Sequence, residues 1–206
     1  MKGMTIVYTV GDGLYVNLTN RCSNACGFCI RKNGDGAYGS NPLWLEREPT
    51  REEALQAIIH APLSAYRELV FCGYGEPTYR MEDILWICRE VKAAFPQVVL
   101  RLNTNGHAAL ISGDENAARR LASCLDSISI SLNAPNGAAY QRICASVYGE
   151  RSFDALVSFA KQAAEVCKDV RFTLVQGSIS DAEAEECRKL AASLGIPLRI
   201  REYIAD

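Results

Sequence analysis

The stretch Ser127-Ile-Ser-Ile-Ser-Leu-Asn133 alternates strictly between polar and apolar side chains. Because successive side chains of a β-strand point to opposite faces, one face of this predicted strand is polar and the other is apolar. Parallel strands that are covered by helices on both faces usually read as continuous apolar runs instead. The alternation favours a curved sheet with its apolar face under an outer layer of helices and its polar face around a wet cavity. A solvated edge strand would show the same alternation.

Other predicted strands repeat this pattern. Arg101 and Asn103 alternate with two leucines, and Arg171 and Thr173 alternate with Phe172 and a leucine. A further short strand, Thr5–Val10, is predicted to pair with the first strand of the main series through the turn Gly11-Asp12-Gly13. The main series comprises strands near Leu14–Leu18, Glu68–Gly73, Val98–Asn103, Ser127–Leu132, Val170–Val175 and Pro197–Tyr203.

Helix-period segments separate these strands. Thr50-Arg-Glu-Glu53 opens the first of them with a capping box, in which each end can satisfy a free backbone amide of the other. Several strand-to-strand intervals are about 28 residues long, which suits a strand, a right-handed crossover helix and two loops. The sequence therefore predicts an α/β fold with one domain over residues 1–206, an incomplete (β/α)6 TIM-like barrel with parallel strands.

The composition is that of an ordinary globular chain. Of the 206 residues, 49% are hydrophobic, and 22 basic against 24 acidic side chains give a formal charge of −2. This balance supplies no broad electrostatic reason to bind nucleic acid or an anionic membrane. No apolar run is long enough to span a bilayer, and the start MKGMTIVYTV lacks the features of a secretory signal. We therefore expect a cytoplasmic protein without a membrane partner.

The nine cysteines fall into two groups. Six of them stand far apart in the sequence. Four of these six each lie on the apolar stripe of a different predicted helix, which is typical of small core side chains. These four are Cys88, Cys144, Cys167 and Cys187, and we expect the same core role for Cys72 and Cys124 on or beside strands.

The remaining three cysteines crowd into Cys22-Ser-Asn-Ala-Cys26-Gly-Phe-Cys29, directly after the first strand of the main series. Soft thiolates at this spacing can bind zinc or an iron–sulfur cluster, or act as redox cysteines. A zinc ribbon needs a second cysteine pair or histidines, but the chain has no other Cys-x-x-Cys and only His60 and His107. A ferredoxin-type run would need a fourth cysteine. Three ligands on a four-iron cluster leave one iron open, and an open iron can chelate an amino acid through its amine and carboxylate.

These residues resemble the radical S-adenosylmethionine (SAM) superfamily, in which cysteines at this spacing follow an early strand and an aromatic residue, here Phe28, precedes the last of them. The resemblance implies that Cys22, Cys26 and Cys29 are the catalytic cysteines and the ligands of a [4Fe–4S] cluster. It also implies S-adenosylmethionine as a second cofactor, with Phe28 among the residues that bind it.

The resemblance continues along the chain. Phe71-Cys-Gly-Tyr-Gly-Glu-Pro77 is similar to the superfamily's glycine-glycine-glutamate motif, which holds the methionyl ammonium group, and Tyr74 stands in the place of the first glycine. Asn103-Thr-Asn-Gly106 and Ser129-Ile-Ser-Leu-Asn133 resemble segments that contact substrate or the ribose and carboxylate of the cofactor. The implied cofactor-binding residues are therefore Gly73, Tyr74, Gly75, Glu76, Thr104, Asn105, Ser131 and Asn133, at the carboxyl ends of strands where parallel barrels keep their active sites.

The implied activity is reductive cleavage of SAM to a 5′-deoxyadenosyl radical that abstracts hydrogen from a substrate. A small anionic metabolite, a nucleobase and a partner protein all remain open as substrates, and an electron donor such as flavodoxin or ferredoxin is implied. The small size and the stretch Tyr15–Cys22 look most like the small radical SAM proteins associated with TatD nucleases, which implies a functional link to a TatD-type nuclease.

Several alternatives remain at this point. A non-catalytic structural zinc module could use Cys22, Cys26, Cys29 and Cys72. The Gly-rich segment Lys32–Asn41 could be a lid or a solvated loop. His107 is expected on a surface loop rather than at the substrate. Some of four arginines could orient an anionic substrate, whereas others would extend outward into solvent; these are Arg101, Arg171, Arg199 and Arg201.

Overall fold

The computed structural model describes residues 2–203. Its centre is one seven-stranded sheet in which the strands follow each other in chain order. The strands are β1 (Val7–Val10), β2 (Gly13–Val16), β3 (Glu68–Phe71), β4 (Val99–Thr104), β5 (Ser127–Ser131), β6 (Asp169–Val175) and β7 (Leu198–Arg201).

The predicted strand order and direction are confirmed. β1 and β2 form an antiparallel hairpin in which Val10 pairs with Gly13, and Gly11 in the turn has a φ of 57°, a conformation that glycine adopts readily. Each later strand pairs in parallel with the one before it. β1 and β7 are the two edges of the sheet in residues 2–203, so this part of the chain forms an open, partial TIM-like barrel.

Helices connect the parallel strands. The helices are α1 (Arg51–His60), α2 (Met81–Ala94), α3 (Ala108–Ser112), α4 (Ala117–Ala122), α5 (Gly137–Cys144), α6 (Arg151–Ala164) and α7 (Asp181–Ser193). The capping box predicted at Thr50 is confirmed: its hydroxyl accepts from the Glu53 N–H at 3.1 Å, and the Glu53 carboxylate accepts from the Thr50 N–H at 2.8 Å. None of the helices in residues 2–203 has both the length and the apolar character needed to cross a membrane.

The apolar face of the sheet forms the core. Leu102 pairs with Ile128 and Ile130 pairs with Phe172 across adjacent strands, and all four side chains are fully buried. Burial of each such side chain contributes about 1.5–3 kcal/mol to stability. The alternation within single strands thus predicted correctly which face joins the apolar core. The single-domain organisation of residues 1–206 stays a prediction.

The four cysteines predicted on helix stripes are all buried. Cys88, Cys167 and Cys187 act as core side chains, as expected. Cys144 is also in the core, but its thiol contacts that of Cys26, which no spacing in the sequence indicated. Cys124 is half-buried, and its thiol contacts that of Cys88.

Candidate active site

A cavity of about 750 Å³ opens at the carboxyl ends of the parallel strands. The polar face of the sheet forms its floor, so the expected polar cavity is present. The cavity wall includes every residue predicted to belong to the site, namely Cys22, Cys26, Phe28, Cys29, Gly73, Tyr74, Gly75, Glu76, Thr104, Asn105, Ser131 and Asn133.

Residues 17–21 leave β2 and lead into the cysteine loop, residues 22–29, which is held by the end of α5. The Ala25 N–H donates to the Cys144 carbonyl at 2.8 Å, and the Gly27 N–H donates to the Ile143 carbonyl at 3.1 Å. In the opposite direction, the Val147 N–H donates to the Ser23 carbonyl at 2.9 Å. These three backbone bonds fix the path of the cysteine loop relative to the sheet.

Burial raises the pKa of the Cys22 thiol to about 12. The thiol contact with Cys144, followed by burial, raises the pKa of Cys26, and burial also raises that of Cys29. Within residues 2–203, no three His, Cys, Asp or Glu side chains are gathered closely enough to hold one metal ion. All three cysteines line the cavity.

Glu76 is buried and held by hydrogen bonds. Its Oε1 atom accepts from the Thr104 hydroxyl at 2.7 Å and from the N–H and hydroxyl of Thr78 at 3.1 and 2.7 Å. Its Oε2 atom accepts from the Asn105 N–H at 2.8 Å. Burial raises the pKa of Glu76, and the hydrogen bonds oppose this shift. No basic side chain among the described residues forms an ion pair with this carboxylate.

The two glycines beside Glu76 are required by close packing. A Cβ atom on Gly73 would lie 2.1 Å from Oδ1 of Asn17. A Cβ atom on Gly75 would lie 2.3 Å from the backbone carbonyl oxygen of Thr19 and 2.6 Å from that of Arg21. Only glycine allows this approach. The loop of residues 73–76 therefore rests directly on the segment that leads into the cysteine loop.

Tyr74, which replaces a glycine of the motif, holds the segment Lys32–Asn41. Its hydroxyl lies 2.9 Å from the Gly34 carbonyl oxygen and 2.7 Å from that of Gly36. Its ring also packs edge-on against Trp44, with centroids 5.2 Å apart. The segment expected to be a lid or a solvated loop is thus anchored to the cofactor motif.

His107 does not lie on a surface loop, so that prediction was wrong. Its side chain is fully buried and hydrogen-bonds to Ser23 and Tyr140. Position in a polar loop suggested exposure, but the cysteine loop and α5 cover this turn. Thr78, a partner of Glu76, was also missed. The available signal was its place two residues after Glu76, where its N–H can bond back to that carboxylate.

The four arginines differ in position. Arg101 lines the cavity but is bound to Glu68 at 2.7 Å and to the Tyr15 hydroxyl at 3.0 Å. Arg199 and Arg201 line the cavity from β7. Arg171 forms an ion pair with Asp169 and lies outside the cavity wall. Only the two arginines of β7 therefore offer cavity-facing guanidinium groups without an ion pair among residues 2–203.

The family model described as the Radical SAM superfamily matches residues 16–191. The chain therefore belongs to the radical SAM superfamily of enzymes, as the cysteine spacing predicted. Membership in this family implies S-adenosylmethionine and a [4Fe–4S] cluster as cofactors. The association with TatD-type nucleases stays a prediction.

Two curated relatives share part of the sequence. The 5-amino-6-(D-ribitylamino)uracil–L-tyrosine 4-hydroxyphenyl transferase of Methanothermobacter thermautotrophicus is 40% identical over 88 residues, which cover 41% of this chain and 22% of that protein. Transferase 2 of the same name, from Methanosarcina acetivorans, is 32% identical over 133 residues, which cover 61% of this chain and 31% of that protein. The matches thus span 22–31% of the length of these relatives.

Solved structures share the fold. Streptococcus suis SuiB bound to precursor peptide SuiA has a TM-score of 0.68 and 18% sequence identity, covering 96% of this chain and 40% of that chain. A radical SAM methyltransferase from Sphaerobacter thermophilus has a TM-score of 0.66 and 18% identity, covering 95% of this chain and 68% of that chain. At this identity, the likeness concerns the arrangement of strands and helices.

Proposed function

We propose that this chain binds one [4Fe–4S] cluster through Cys22, Cys26 and Cys29, binds S-adenosylmethionine against Gly73–Glu76, and abstracts hydrogen from a small polar substrate. When bound, the reduced cluster and SAM supply a 5′-deoxyadenosyl radical, which is the hydrogen-abstracting species. The protein contributes the orientation of both cofactors and the exclusion of water.

The observation that carries this proposal is the state of Glu76. A buried carboxylate without a cation is costly, and the hydrogen bonds from Thr78, Thr104 and Asn105 offset only part of that cost. The methionyl ammonium of SAM would supply the missing positive charge through a charge-assisted hydrogen bond. Because the cysteines lie on the wall of the same cavity, an amino acid held by Glu76 would be within the site that they share.

The number of cysteines supports a cluster rather than a structural zinc ion. A structural zinc ion is almost always held by four protein ligands, whereas three cysteines on a four-iron cluster leave one iron open to an amino acid. Cys22, Cys26 and Cys29 all line the cavity that Glu76 also lines.

The four-cysteine zinc module receives no support from the described residues. The Cys72 thiol bonds to the Asn103 side chain. The backbone carbonyl oxygen of Cys72 accepts from the Tyr8 hydroxyl at 3.2 Å. The cysteine whose thiol contacts Cys26 is Cys144. Cys72 thus lines the cavity rather than packing in the apolar core, so the predicted core role of Cys72 was wrong.

A small molecule is the substrate class that the cavity favours. The cavity of about 750 Å³ would hold the cluster, S-adenosylmethionine and the substrate together, so the room left beside the cofactors is that of a small ligand. Tyr8, Tyr15 and Tyr38 contribute aromatic surface, and Arg199 and Arg201 contribute positive charge. The curated relatives are named for a uracil derivative and for tyrosine, which are small, polar and aromatic. We propose a substrate of this kind with an anionic group. The cytoplasmic location and an electron donor such as flavodoxin or ferredoxin stay predictions.

The direct test is anaerobic reconstitution with iron and sulfide, followed by SAM, dithionite and an assay for 5′-deoxyadenosine. We expect the wild-type protein to bind the cluster and release 5′-deoxyadenosine, and Cys26→Ala to do neither. Cys187→Ala, which alters a buried cysteine of α7, is the matched control and should behave as wild type. A wild-type protein that holds one zinc ion and forms no 5′-deoxyadenosine would refute the proposal.

A further inference from the structure

His107 lies directly behind the cysteine loop. Its Nδ1 atom is 2.9 Å from the hydroxyl of Ser23, which is the residue after Cys22. Its Nε2 atom is 3.3 Å from the hydroxyl of Tyr140 on α5. The ring also packs edge-on against Tyr140 and Tyr148. The imidazole is thus fixed between the cysteine loop and α5.

We assign the His107 tautomer from its hydrogen-bond partners. Asn105 Nδ2 donates to the Ser23 hydroxyl oxygen at 2.9 Å, and we place the Ser23 hydrogen toward His107 Nδ1. This assignment puts the proton of the neutral ring on Nε2, facing Tyr140. Burial lowers the pKa of His107 to about 4, against the opposing effect of a hydrogen bond to the Ser152 backbone, so the ring is neutral at pH 7.

A second residue of the cysteine loop joins this network. Asn24 Nδ2 donates to the Tyr140 hydroxyl at 2.9 Å, and Asn24 is almost fully buried. Ser23 and Asn24 both lie between Cys22 and Cys26. The side chains of this stretch are therefore anchored on His107 and Tyr140, in addition to the backbone bonds to the end of α5.

The turn that carries His107 also holds Glu76. The backbone N–H of Asn105 donates to Glu76 Oε2, and its side-chain Nδ2 donates to Ser23. The side-chain oxygen of Asn105 accepts from the backbone N–H of His107 at 3.0 Å. One short turn thus contacts both the cysteine loop and the carboxylate. A shift of this turn would move both groups.

We propose that His107 is a positioning residue that holds the cysteine loop in register with Glu76 through Ser23. It does not touch the reacting groups. Its effect on cofactor binding rests on the proposed function, whereas its hold on the loop does not.

The hold on the loop is tested by hydrogen exchange in the cofactor-free protein under reducing conditions. In His107→Leu, we expect amide exchange in residues 22–29 to accelerate about tenfold because the anchoring hydrogen bond is lost, with β4 and β5 unchanged. His107→Asn should restore slow exchange, since its side-chain carbonyl can accept from Ser23. The matched control is His60→Asn, at the exposed end of α1, which should exchange as wild type. Unchanged exchange in residues 22–29, or equal acceleration throughout the chain, would overturn the proposal.

A second variant guards against misfolding. Ser23→Ala removes the hydroxyl and leaves the packing of the imidazole intact, so it should accelerate exchange in the same residues. If Ser23→Ala leaves residues 22–29 as protected as in wild type, the proposed anchor does not exist.

The effect on cofactors is read from the reconstituted protein by electron paramagnetic resonance. In wild type, we expect SAM to change the spectrum of the reduced cluster. In His107→Leu, the SAM concentration at half-change should rise about tenfold, which corresponds to about 1.4 kcal/mol, and His107→Asn should reverse this. A loosened loop with wild-type SAM affinity would overturn the positioning role. If no protein retains a cluster, the proposed function fails, and the exchange experiment still decides whether His107 holds the loop.

Discussion

Gly75 packs against the backbone of Thr19 so closely that a Cβ atom on it would lie 2.3 Å from the Thr19 carbonyl oxygen. The next residue, Glu76, donates its N–H to the Arg21 carbonyl at 2.7 Å. The loop of the glutamate and the segment that leads into the cysteine loop are thus joined directly. A change at one of them will displace the other.

Gly75→Ala should therefore displace the loop of residues 73–76 from the backbone of Thr19, in addition to restricting the backbone conformation at position 75. The new methyl group meets backbone rather than a movable side chain, so we expect the free energy of unfolding to fall by about 1–3 kcal/mol. SAM binding to the reconstituted protein should be weakened at the same time. Urea unfolding and SAM titration measure the two effects. Gly34→Ala is the control, because its Cβ would have its nearest contact at 3.8 Å, and a similar loss in that variant would contradict the explanation.

Glu76→Gln should weaken SAM binding by removing the negative charge that faces the ammonium group. Loss of a charge-assisted hydrogen bond costs about 1.5–3 kcal/mol, or roughly a tenfold to hundredfold change in affinity. The amide group would also face the Asn105 N–H, donor against donor, and lower stability slightly. Equilibrium dialysis with SAM checks this. Glu186→Gln on α7, an exposed glutamate whose ion pair is with Lys189 of the same helix, is the matched control, and equal effects of the two changes would count against a role for Glu76 in SAM binding.

Tyr74→Phe should release the segment Lys32–Asn41 without emptying the space of the ring. The lost hydroxyl leaves the Gly34 and Gly36 carbonyls without this donor, so we expect a stability loss of about 1 kcal/mol. Limited proteolysis within this segment should become faster. Tyr38→Phe, on the same segment but half-exposed, should show neither effect. Proteolysis of Tyr74→Phe at the wild-type rate would show that other contacts hold the segment.

The stability of the cofactor-free protein should fall between pH 7 and pH 5 because of His107. Its pKa is lowered to about 4 in the folded protein from 6.5, so in this range the unfolded chain binds a proton that the folded protein does not. This contribution is complete above the unfolded pKa and is lost as the pH falls toward 4. The expected decrease at pH 5 is about 2 kcal/mol.

Urea unfolding at several pH values measures this decrease. His107→Asn lacks the titrating ring, so its stability should depend less on pH over the same range. His60→Asn should keep the wild-type slope. A wild-type slope in His107→Asn would assign the pH dependence to other groups.

Cys72→Ala should retain the iron–sulfur cluster, whereas Cys22→Ala should lose it. Both cysteines line the cavity and are half-buried, so the two variants compare a cluster ligand with a cavity thiol that is similarly exposed but does not bind iron. Iron and sulfide analysis after anaerobic reconstitution gives the answer. Loss of iron in Cys72→Ala would return the four-cysteine site to consideration.

The strands and the site motifs could be predicted because their signals are local. The alternation in Ser127–Ser131 determines which face joins the apolar core and which faces the cavity, since a strand has a period of two. The cysteine spacing and the glycines around Glu76 are likewise contained in short segments. Each reflects a requirement of one loop or one strand, so it can be read without the fold.

The support of the site could not be predicted because it depends on contacts between distant segments. Ser23 and His107 are 84 positions apart in the chain, and no pattern in either segment predicts a contact with the other. The same holds for the contact between Cys26 and Cys144, since the helical stripe of Cys144 indicated only burial. Tyr74 was expected as a departure from the motif, and its bonds to Gly34 and Gly36 explain why a tyrosine is useful there.

Besides the side-chain contacts of Tyr140 and Cys144, the end of α5 holds the cysteine loop through three backbone hydrogen bonds, Ala25 to Cys144, Gly27 to Ile143 and Val147 to Ser23. Peptide groups are the same whichever amino acids carry them. The Val147 side chain is exposed, so it can be replaced by other amino acids while its N–H keeps the bond to Ser23. Proline at position 25, 27 or 147 is the exception, because it has no N–H to give.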